Sequence, residues 1–345
     1  MEKKIVEKNK WLIEVSFLRP LAIVLVVLSH SFAVFGGAWN FPGQNQDKLK
    51  IGFYEVLPNF LVAFRMPIIV FVAGYVFMRQ MKARRYSSFK VLLLEKQERL
   101  LIPCLFFSFF YVLFFEKCQE VIVFLWEVLQ GAGHLWYLFM LIWVFFVGYI
   151  IYSIKYKVSV FILLIIFHFI SSYFSFLPFQ FDKALYYIVF FYLGMIIYNY
   201  RSLLLSSIKI KHCFYLLMLF LVCFVCTYLL RKVYLPDGII VKLVLKSVEL
   251  LQYLTSCLFL YFVSLYLFVI KENRLPEFFL VFGKLSYGVY VFHQFILMYL
   301  VYSFRLDLYC NVYFYPWILF IVTFLCSVLL TKIVLQTKLG KYLIG

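Results

Sequence analysis

Long apolar runs of roughly 20 residues follow one another along most of this chain, without the polar–apolar alternation of a membrane β-barrel. Because 66% of its 345 residues are hydrophobic and only 14% are charged, a water-soluble fold would leave much apolar surface exposed. A bilayer accepts such surface, and helices satisfy their own backbone hydrogen bonds there. The sequence therefore predicts an all-α, polytopic transmembrane helix bundle.

Ten candidate spans can be delimited, and they form a single predicted domain over residues 1–345. The first apolar run, from about Trp11 to Phe35, is too long for a cleavable signal segment and lacks a small-residue cleavage pattern, so it is predicted to remain as the first span. The third and sixth spans are short, which leaves tilting, re-entry or misplaced boundaries open. The spans are 12–35, 56–78, 100–116, 135–152, 158–177, 184–200, 212–230, 248–270, 278–303 and 313–335.

Loop charge predicts the orientation of these spans. One side is rich in Lys and Arg, whereas the other is poor in them except for the stretch 231–247, with Arg231, Lys232, Lys242 and Lys246. An even number of spans then places both termini in the cytoplasm. The exception indicates either a local error in the count or a loop that meets an anionic partner. The basic side comprises Lys3, Lys4, Lys8, Lys10, Arg79, Lys82, Arg84, Arg85, Lys90, Lys96, Arg99, Lys155, Lys157, Arg201, Lys209, Lys211, Lys271, Arg274, Lys338 and Lys341.

Other classes of function have little support in the composition. The net charge of +17 is spread over these loops and forms no basic stripe on a soluble domain, which argues against nucleic-acid binding. Eight cysteines are scattered mostly through apolar runs, and the lone CxxC pair of Cys223 and Cys226 lacks the second pair and polar loop of a zinc site. We expect neither a metal ion nor a bound redox cofactor.

Ionisable residues inside the predicted spans are the candidates for function, because a charge in the bilayer is costly without a cavity or a partner. Arg19 and His30 of the first span are eleven residues apart, so they share one helix face with a rise of roughly 16 Å and look into one cleft without touching. A snorkelling Arg and a His bonded to a neighbouring helix are the structural alternatives. The other ionisable candidates are Glu14, Arg65, His134, His168 and His293.

Short motifs follow one another in a fixed order across nearly the whole chain. They are EVSFLR (14–19) with Ser29-His30 after an apolar run, FRMP (64–67) with FVAGY (71–75), RLLIP (99–103), GHLWYL (133–138), and GKLSYGVY (283–290) with His293 three residues on. In this order they resemble the acyltransferase-3 family of integral membrane O-acyltransferases. Pro20, Ala73 and the pair Ile68-Ile69 depart from the family pattern.

The resemblance implies an enzyme of the bacterial cytoplasmic membrane. It would move an acyl group, commonly acetyl, from cytoplasmic acyl-CoA to a hydroxyl of a carbohydrate, such as a surface polysaccharide or a lipid-linked sugar. Membrane lipid, acyl-CoA and this acceptor are the implied partners. A transporter or flippase for a polysaccharide precursor is the alternative function, although the repeated halves with broken helices that mark many transporters are not visible.

The resemblance also implies roles for particular residues. His30 is predicted to be the general base on the acceptor hydroxyl, because an imidazole with a pKa of about 6.5 titrates near working pH. Arg19 is predicted to bind the anionic donor, and Glu14 to orient Arg19 or to bind elsewhere at the inner mouth. Arg65 is predicted to contact donor phosphates or to hold the architecture of the site, and His134 to bind the acceptor or assist proton transfer. No serine or cysteine nucleophile is evident, so direct transfer is predicted.

Four further residues have no single predicted function. Three of them have both a functional and a structural interpretation, and the fourth has only a structural one. Trp136 and Tyr137 either stack on a sugar ring or belong to the aromatic belt at the membrane interface, and the belt is favoured. His293 is either catalytic or hydrogen-bonded to an adjacent helix. His168 has no motif around it and is predicted to be a polar packing residue.

Overall fold

Ten long helices dominate the structure. The computed structural model describes residues 12–40, 51–116, 120–154, 157–232 and 238–345. Within these ranges ten helices are long and apolar enough to cross a membrane, and no strand is present, which confirms the predicted helix bundle and its ten spans. The sequence positions Lys3, Lys4, Lys8, Lys10, Trp11 and Lys155 lie outside the described residues.

The spans are labelled in chain order: α1 Ile13–Ser31, α2 Gly52–Lys82, α3 Phe89–Phe115, α4 Gly133–Tyr152, α5 Lys157–Phe174, α6 Phe181–Asn199, α7 Ile210–Lys232, α8 Ile240–Ile270, α9 Glu277–Ser303 and α10 Tyr315–Val334. Three shorter helices, Val121–Gln130, Arg201–Ser207 and Lys338–Ile344, lie between or after them. The first of these is apolar but, at 10 residues, too short to cross a bilayer. We call the end of the bundle at Ile13 and Val334 the basic end. That this end faces the cytoplasm stays a prediction.

Helix α3 begins eleven residues before the predicted boundary at position 100. Ser88 caps its first turn by accepting a hydrogen bond from the backbone N–H of Val91. Some of the charges that made this region look like a loop are paired: Arg85 forms a 3.0 Å ion pair with Glu95, and Lys96 donates to the Tyr86 hydroxyl at 2.9 Å. The helix therefore continues through its charged first turns and crosses with 27 residues.

The basic stretch at 231–247 also has a structural explanation. Arg231 at the end of α7 forms a 2.6 Å ion pair with Glu249 of α8. Lys246 of α8 donates to the Phe169 carbonyl oxygen and the Ser172 hydroxyl of α5, both at 3.0 Å. These charges join neighbouring helices at the end opposite the basic end, so they fit the count of ten spans. Helix α8 accordingly begins at Ile240, before the predicted boundary at 248.

Helix α2 is the most buried of the ten helices, and it packs closely on α6 through two glycines. A side chain at Gly74 would overlap the backbone carbonyl of Phe191, and one at Gly194 would overlap that of Phe71. Small residues of this kind let two membrane helices bring their backbones together, where van der Waals contact stabilises the pair. Gly74 of the FVAGY motif therefore has a packing role.

A proline also shapes α2 beside Arg65. Pro67 has no N–H to donate, so the carbonyl oxygen of Ala63, four residues earlier, loses its helical partner. Ser256 of α8 supplies the missing donor with a 2.6 Å hydrogen bond from its hydroxyl to that oxygen. Helix α8 is thereby fixed against α2 two residues before Arg65, close to the site described below.

Candidate functional site

A pair of histidines forms the centre of the site. His30, near the end of α1, lies with its Nδ1 2.9 Å from Nε2 of His293 on α9. The two rings stack with 5.1 Å between centroids and an interplanar angle of 13°. His293 is 0% exposed, whereas His30 is half-buried. The structure thus brings two of the predicted residues into direct contact across 263 positions of sequence.

The hydrogen bonds around this pair define which nitrogens carry protons. Nδ1 of His293 lies 2.6 Å from the carbonyl oxygen of Tyr290, so Nδ1–H donates to it. Nε2 of a neutral His293 is then an acceptor, and Nδ1–H of His30 is its donor. His30 therefore keeps an unprotonated Nε2, which is the atom a general base needs. Tyr290, His293 and His30 form a relay in which each group orients the next.

His134 lies against the same pair. Gly133, with φ +54°, turns the chain tightly into α4 and leaves no room for a side chain, because a Cβ there would meet the ring of Tyr111. The His134 ring then stands edge-on to that of His293, with centroids 4.8 Å apart. Its Nε2–H donates to the Val291 carbonyl oxygen at 3.0 Å, and its buried Nδ1 has no hydrogen-bond partner within the described ranges. The backbone carbonyl of His134 accepts a 2.5 Å hydrogen bond from the Tyr290 hydroxyl.

Arg65 of α2 points toward this cluster. Its charge lies within electrostatic range of His30 and His293, and of the phenols of Tyr187 and Tyr253. Its Nε is buried and has no hydrogen-bond partner among the described residues. No carboxylate of the described residues forms an ion pair with it. A guanidinium group inside a membrane bundle ordinarily has a charged or polar partner, because a buried charge is costly without one.

Arg19 lies nearer the basic end of α1. It is exposed to solvent, although Tyr137, Tyr287 and Arg99 from three other helices lie within its electrostatic range. The Tyr287 hydroxyl donates to the Arg99 carbonyl oxygen at 3.0 Å, which ties α9 to α3 beside it. No carboxylate among the described residues pairs with Arg19. Arg19 and Arg99 are therefore neighbouring exposed guanidinium groups, and neither forms an ion pair with a carboxylate of the described residues.

Two tyrosines lie between Arg19 and the histidine pair. Tyr137 lies close to Arg19 and packs edge-on against Tyr290, with 5.6 Å between ring centroids. Tyr290 in turn holds His293 through its carbonyl oxygen. This row runs along α4 and α9 on the face of α1 that carries Arg19 and His30. The arrangement places a guanidinium group nearer the basic end and the histidine pair nearer the opposite end of α1.

The sequence model of the acyltransferase-3 family, described as an acyltransferase domain, matches residues 12–335. The chain belongs to this family. It is therefore an integral membrane acyltransferase in general terms. No curated protein matches the chain, and no solved structure does.

Glu14 is the candidate of this acyltransferase that the structure places elsewhere. Its carboxylate is 0% exposed, and Oε1 accepts hydrogen bonds from Arg201 Nε at 2.7 Å and from the Tyr75 hydroxyl at 2.8 Å. These contacts do not include Arg19, so they contradict the first of the two roles predicted for Glu14, and the second, binding elsewhere at the inner mouth, stays a prediction. Burial disfavours the charged form of Arg201, but the hydrogen bond and the charge of Glu14 outweigh it and raise the pKa of Arg201. Glu14 instead holds the short helix Arg201–Ser207 against the bundle.

Sequence reasoning missed Arg201 as a partner, because the two residues are 187 positions apart and Arg201 reads as one more basic loop residue. The FVAGY motif contained the one available signal, since its Tyr75 is the second donor to Glu14. A polar side chain inside an apolar span predicts that some partner exists, and only the packing of helices identifies it.

The remaining candidates lie on α4 and α5. Trp136 is half-buried and packs on α6, with Tyr187 stacked at 6.0 Å and the Lys183 ammonium 4.4 Å from its ring centroid. Tyr137 is buried in the polar row described above. His168 lies apart from the cluster, with Nδ1–H donating to the Tyr186 carbonyl oxygen at 2.8 Å. Among the described residues, no group of three or more His, Cys, Asp or Glu is placed to hold a metal ion.

Proposed function

We propose that this chain transfers an acetyl group from acetyl-CoA to a hydroxyl of a carbohydrate acceptor, such as a surface polysaccharide or a lipid-linked sugar. Membership of the family supplies the general activity, and the donor, the acyl group and the acceptor are the proposal. The observation that carries it is the His30–His293 pair, whose hydrogen bonds leave Nε2 of His30 unprotonated. A sugar hydroxyl is a weak nucleophile, and it requires such a base.

The proposed step is a direct transfer. Nε2 of His30 takes the proton of the hydroxyl while its oxygen attacks the thioester carbonyl carbon, and a C–O bond forms. The C–S bond then breaks, and the departing CoA thiolate takes the proton back from His30. During this step His30 is an imidazolium, and its Nδ1–H donates to His293 as a charged and therefore stronger hydrogen bond. Atoms and protons balance without a covalent intermediate on the enzyme.

Arg65 and Arg19 have complementary parts in this proposal. Arg65 lies within electrostatic range of His30, and its buried Nε has no hydrogen-bond partner in the part of the chain that the structure describes. Such a group suits the oxyanion of the tetrahedral intermediate or a donor phosphate. Arg19 and Arg99 are near each other and suit the diphosphate of CoA. Arg19 and His30 are separated by roughly 16 Å along α1, a distance comparable to the reach of the extended pantetheine arm between diphosphate and thioester.

The charge of the loops supports an orientation for this reaction. If the basic end faces the cytoplasm, as the positive-inside rule predicts, Arg19 meets cytoplasmic acyl-CoA and His30 lies toward the other surface. The proposed location is the bacterial cytoplasmic membrane. The acceptor then reaches His30 from the end at which surface polysaccharides are assembled.

The test uses membranes that contain the full chain, radiolabelled acetyl-CoA and the carbohydrate fraction of the producing cells. We expect label to enter that fraction with wild-type protein and to be strongly reduced with His30→Ala. Arg19→Lys keeps the charge but loses the planar fork, so the half-saturating concentration of acetyl-CoA should rise. No transfer by wild-type protein refutes the proposal, and transfer by His30→Ala at the wild-type rate removes His30 from the mechanism.

A further inference from the structure

The chain turns back on itself shortly after α1. Gly37 has φ +71°, a left-handed backbone conformation that residues with a side chain rarely adopt. Its N–H donates to the Val34 carbonyl oxygen at 3.4 Å. The N–H of Ala38 donates to the Ala33 carbonyl oxygen at 3.0 Å. These two bonds form a Schellman motif, which ends the helical turns after α1 and sends the chain at Trp39 back toward the last turn of α1.

Trp39 lies beside the histidine pair. Its indole ring and the ring of His30 have centroids 5.7 Å apart and an interplanar angle of 39°. The next residue is held to α9, the helix of His293, because the Tyr302 hydroxyl donates to the Asn40 carbonyl oxygen at 2.9 Å. Trp39 also packs against a buried apolar cluster around the ends of α1, α9 and α10. The indole is therefore held between the two helices that supply the histidines.

Solvent reaches His30 and Trp39 but not the other rings of the site. Both are half-buried, whereas His293 is 0% exposed and His134 is 4% exposed. Of the two histidines in the pair, His30 is thus the one that a molecule from solvent can contact. Because the rings of His30 and Trp39 are neighbours, a molecule that contacts His30 in this way also lies next to the indole.

The indole ring suits a sugar better than the phosphates of the donor. The C–H groups on one face of a sugar ring are apolar and slightly positive, and the face of an indole is apolar and slightly negative. The same negative face disfavours a phosphate. Trp39 follows the end of α1 that carries His30, whereas Arg19, proposed above to bind the CoA diphosphate, lies roughly 16 Å from His30 along α1. Donor and acceptor then approach His30 from opposite ends.

The two aromatic residues considered above for a sugar have other contacts. Trp136 has Tyr187 stacked on it, with 6.0 Å between ring centroids, and the Lys183 ammonium lies 4.4 Å from its ring centroid. Tyr137 is buried. A sugar would have to displace these groups to stack on either ring. Trp39 combines a partly exposed ring with direct contact to the base.

We propose that Trp39 is a binding residue for the acceptor, and that its indole packs on the apolar face of one sugar ring whose hydroxyl group meets Nε2 of His30. The assignment rests on the proposed function, because it places the acceptor of that reaction. Trp39 takes no part in proton transfer. It should therefore affect the binding of carbohydrate and leave the chemistry at His30 unchanged.

The test measures three quantities in the transfer assay with purified full-length protein: the half-saturating amounts of carbohydrate and of acetyl-CoA, and the maximal rate as a function of pH. Trp39→Ala removes the stacking face, so the half-saturating amount of carbohydrate should rise about tenfold. The half-saturating concentration of acetyl-CoA and the pH dependence of the maximal rate should stay as in the wild type. A purely structural role beside His30 would change the maximal rate or its pH dependence instead.

Three further variants serve as controls. Trp39→Phe keeps an aromatic face and should recover most of the affinity for carbohydrate, whereas Trp39→Leu keeps apolar volume without that face and should resemble Trp39→Ala. Trp126→Ala is the matched control and should behave as wild type. Trp126 is a 49% exposed tryptophan of the short helix Val121–Gln130 and packs against Phe179, with 6.4 Å between ring centroids. Monodisperse elution in size-exclusion chromatography shows that each variant is folded.

Hydroxyl-radical labelling of the wild-type protein, read by mass spectrometry, is a second measurement that needs no variant. Saturating carbohydrate should lower the labelling of Trp39 relative to that of Trp126 in the same sample, whereas CoA alone should leave this ratio unchanged. Trp126 is the internal standard, because carbohydrate also consumes radicals in solution. The labelling decides the question if the variants of Trp39 do not fold, and an unchanged ratio with carbohydrate then overturns the inference.

The outcomes separate the two proposals. If wild-type protein transfers label and folded Trp39→Ala and Trp39→Leu keep wild-type half-saturation for carbohydrate, Trp39 does not bind the acceptor and the transfer function stands. A rise in the half-saturating concentration of acetyl-CoA in the same variants assigns Trp39 to the donor and also overturns the inference. No transfer by wild-type protein refutes the proposed function and, with it, the acceptor assignment.

Discussion

Replacing His293 with alanine tests whether the two histidines act as a unit. In the wild type, Nδ1–H of His30 donates to Nε2 of His293 at 2.9 Å, and the Tyr290 carbonyl oxygen holds the other nitrogen of His293 at 2.6 Å. Once His30 has taken the proton of the acceptor, its bond to His293 has a charged donor and contributes about 1.5–3 kcal/mol. Since about 1.4 kcal/mol corresponds to tenfold in rate, the maximal rate of His293→Ala should fall by about 10- to 150-fold.

Three further variants make this prediction specific. His293→Gln offers an amide oxygen in place of Nε2, so it should recover part of the lost rate. His30→Ala removes the base itself and should cost about 10²- to 10⁴-fold. Adding His293→Ala to His30→Ala should then change the rate little, because the second group acts only through the first. His168→Ala is the matched control, since His168 is also buried and bonded to a carbonyl oxygen but lies outside the cluster.

The assay is the transfer of label from acetyl-CoA to carbohydrate by purified protein, with the maximal rate divided by the amount of monodisperse enzyme. This normalisation separates a loss of chemistry from a loss of folded protein. Either of two results refutes the reasoning. One is a wild-type rate for His293→Ala. The other is a double variant whose loss of rate equals the product of the losses of His30→Ala and His293→Ala.

The remaining predictions concern the bundle that positions the site. Arg201→Gln leaves the fully buried Glu14 carboxylate without its guanidinium partner, so it should destabilise the protein by about 3 kcal/mol. The loss should appear as a lower midpoint of thermal unfolding in detergent. An unchanged midpoint contradicts a structural role for the pair. Gly74→Leu drives a side chain into the backbone of α6 and should abolish the monodisperse peak in size-exclusion chromatography; a normal peak would show that the two helices do not approach so closely. Ser256→Ala removes the donor to the Ala63 carbonyl oxygen and should cost about 1 kcal/mol by the same thermal measurement, and no loss would mean that this bond adds no net stability.

The helix count and the family were accessible to sequence reasoning for a local reason. A bilayer requires each span to satisfy its own backbone, so span number follows from the lengths of successive apolar runs. The motifs around His30, Arg65 and His134 are likewise short continuous stretches of sequence, so the family could be identified from them without knowledge of the fold. The boundaries of α3 and α8 were predicted too late, because their first turns contain charged residues whose partners lie in a neighbouring helix or loop.

Partnership between distant side chains was decided only by the tertiary structure. Helical periodicity places Arg19 and His30 on one face, but it does not state that His30 meets His293 or that Glu14 meets Arg201. Such contacts depend on which helices are neighbours and at what depth, and close approaches such as that at Gly74 determine both. The sequence by itself determined a membrane bundle with polar residues that need partners, and the packing of the helices selected those partners.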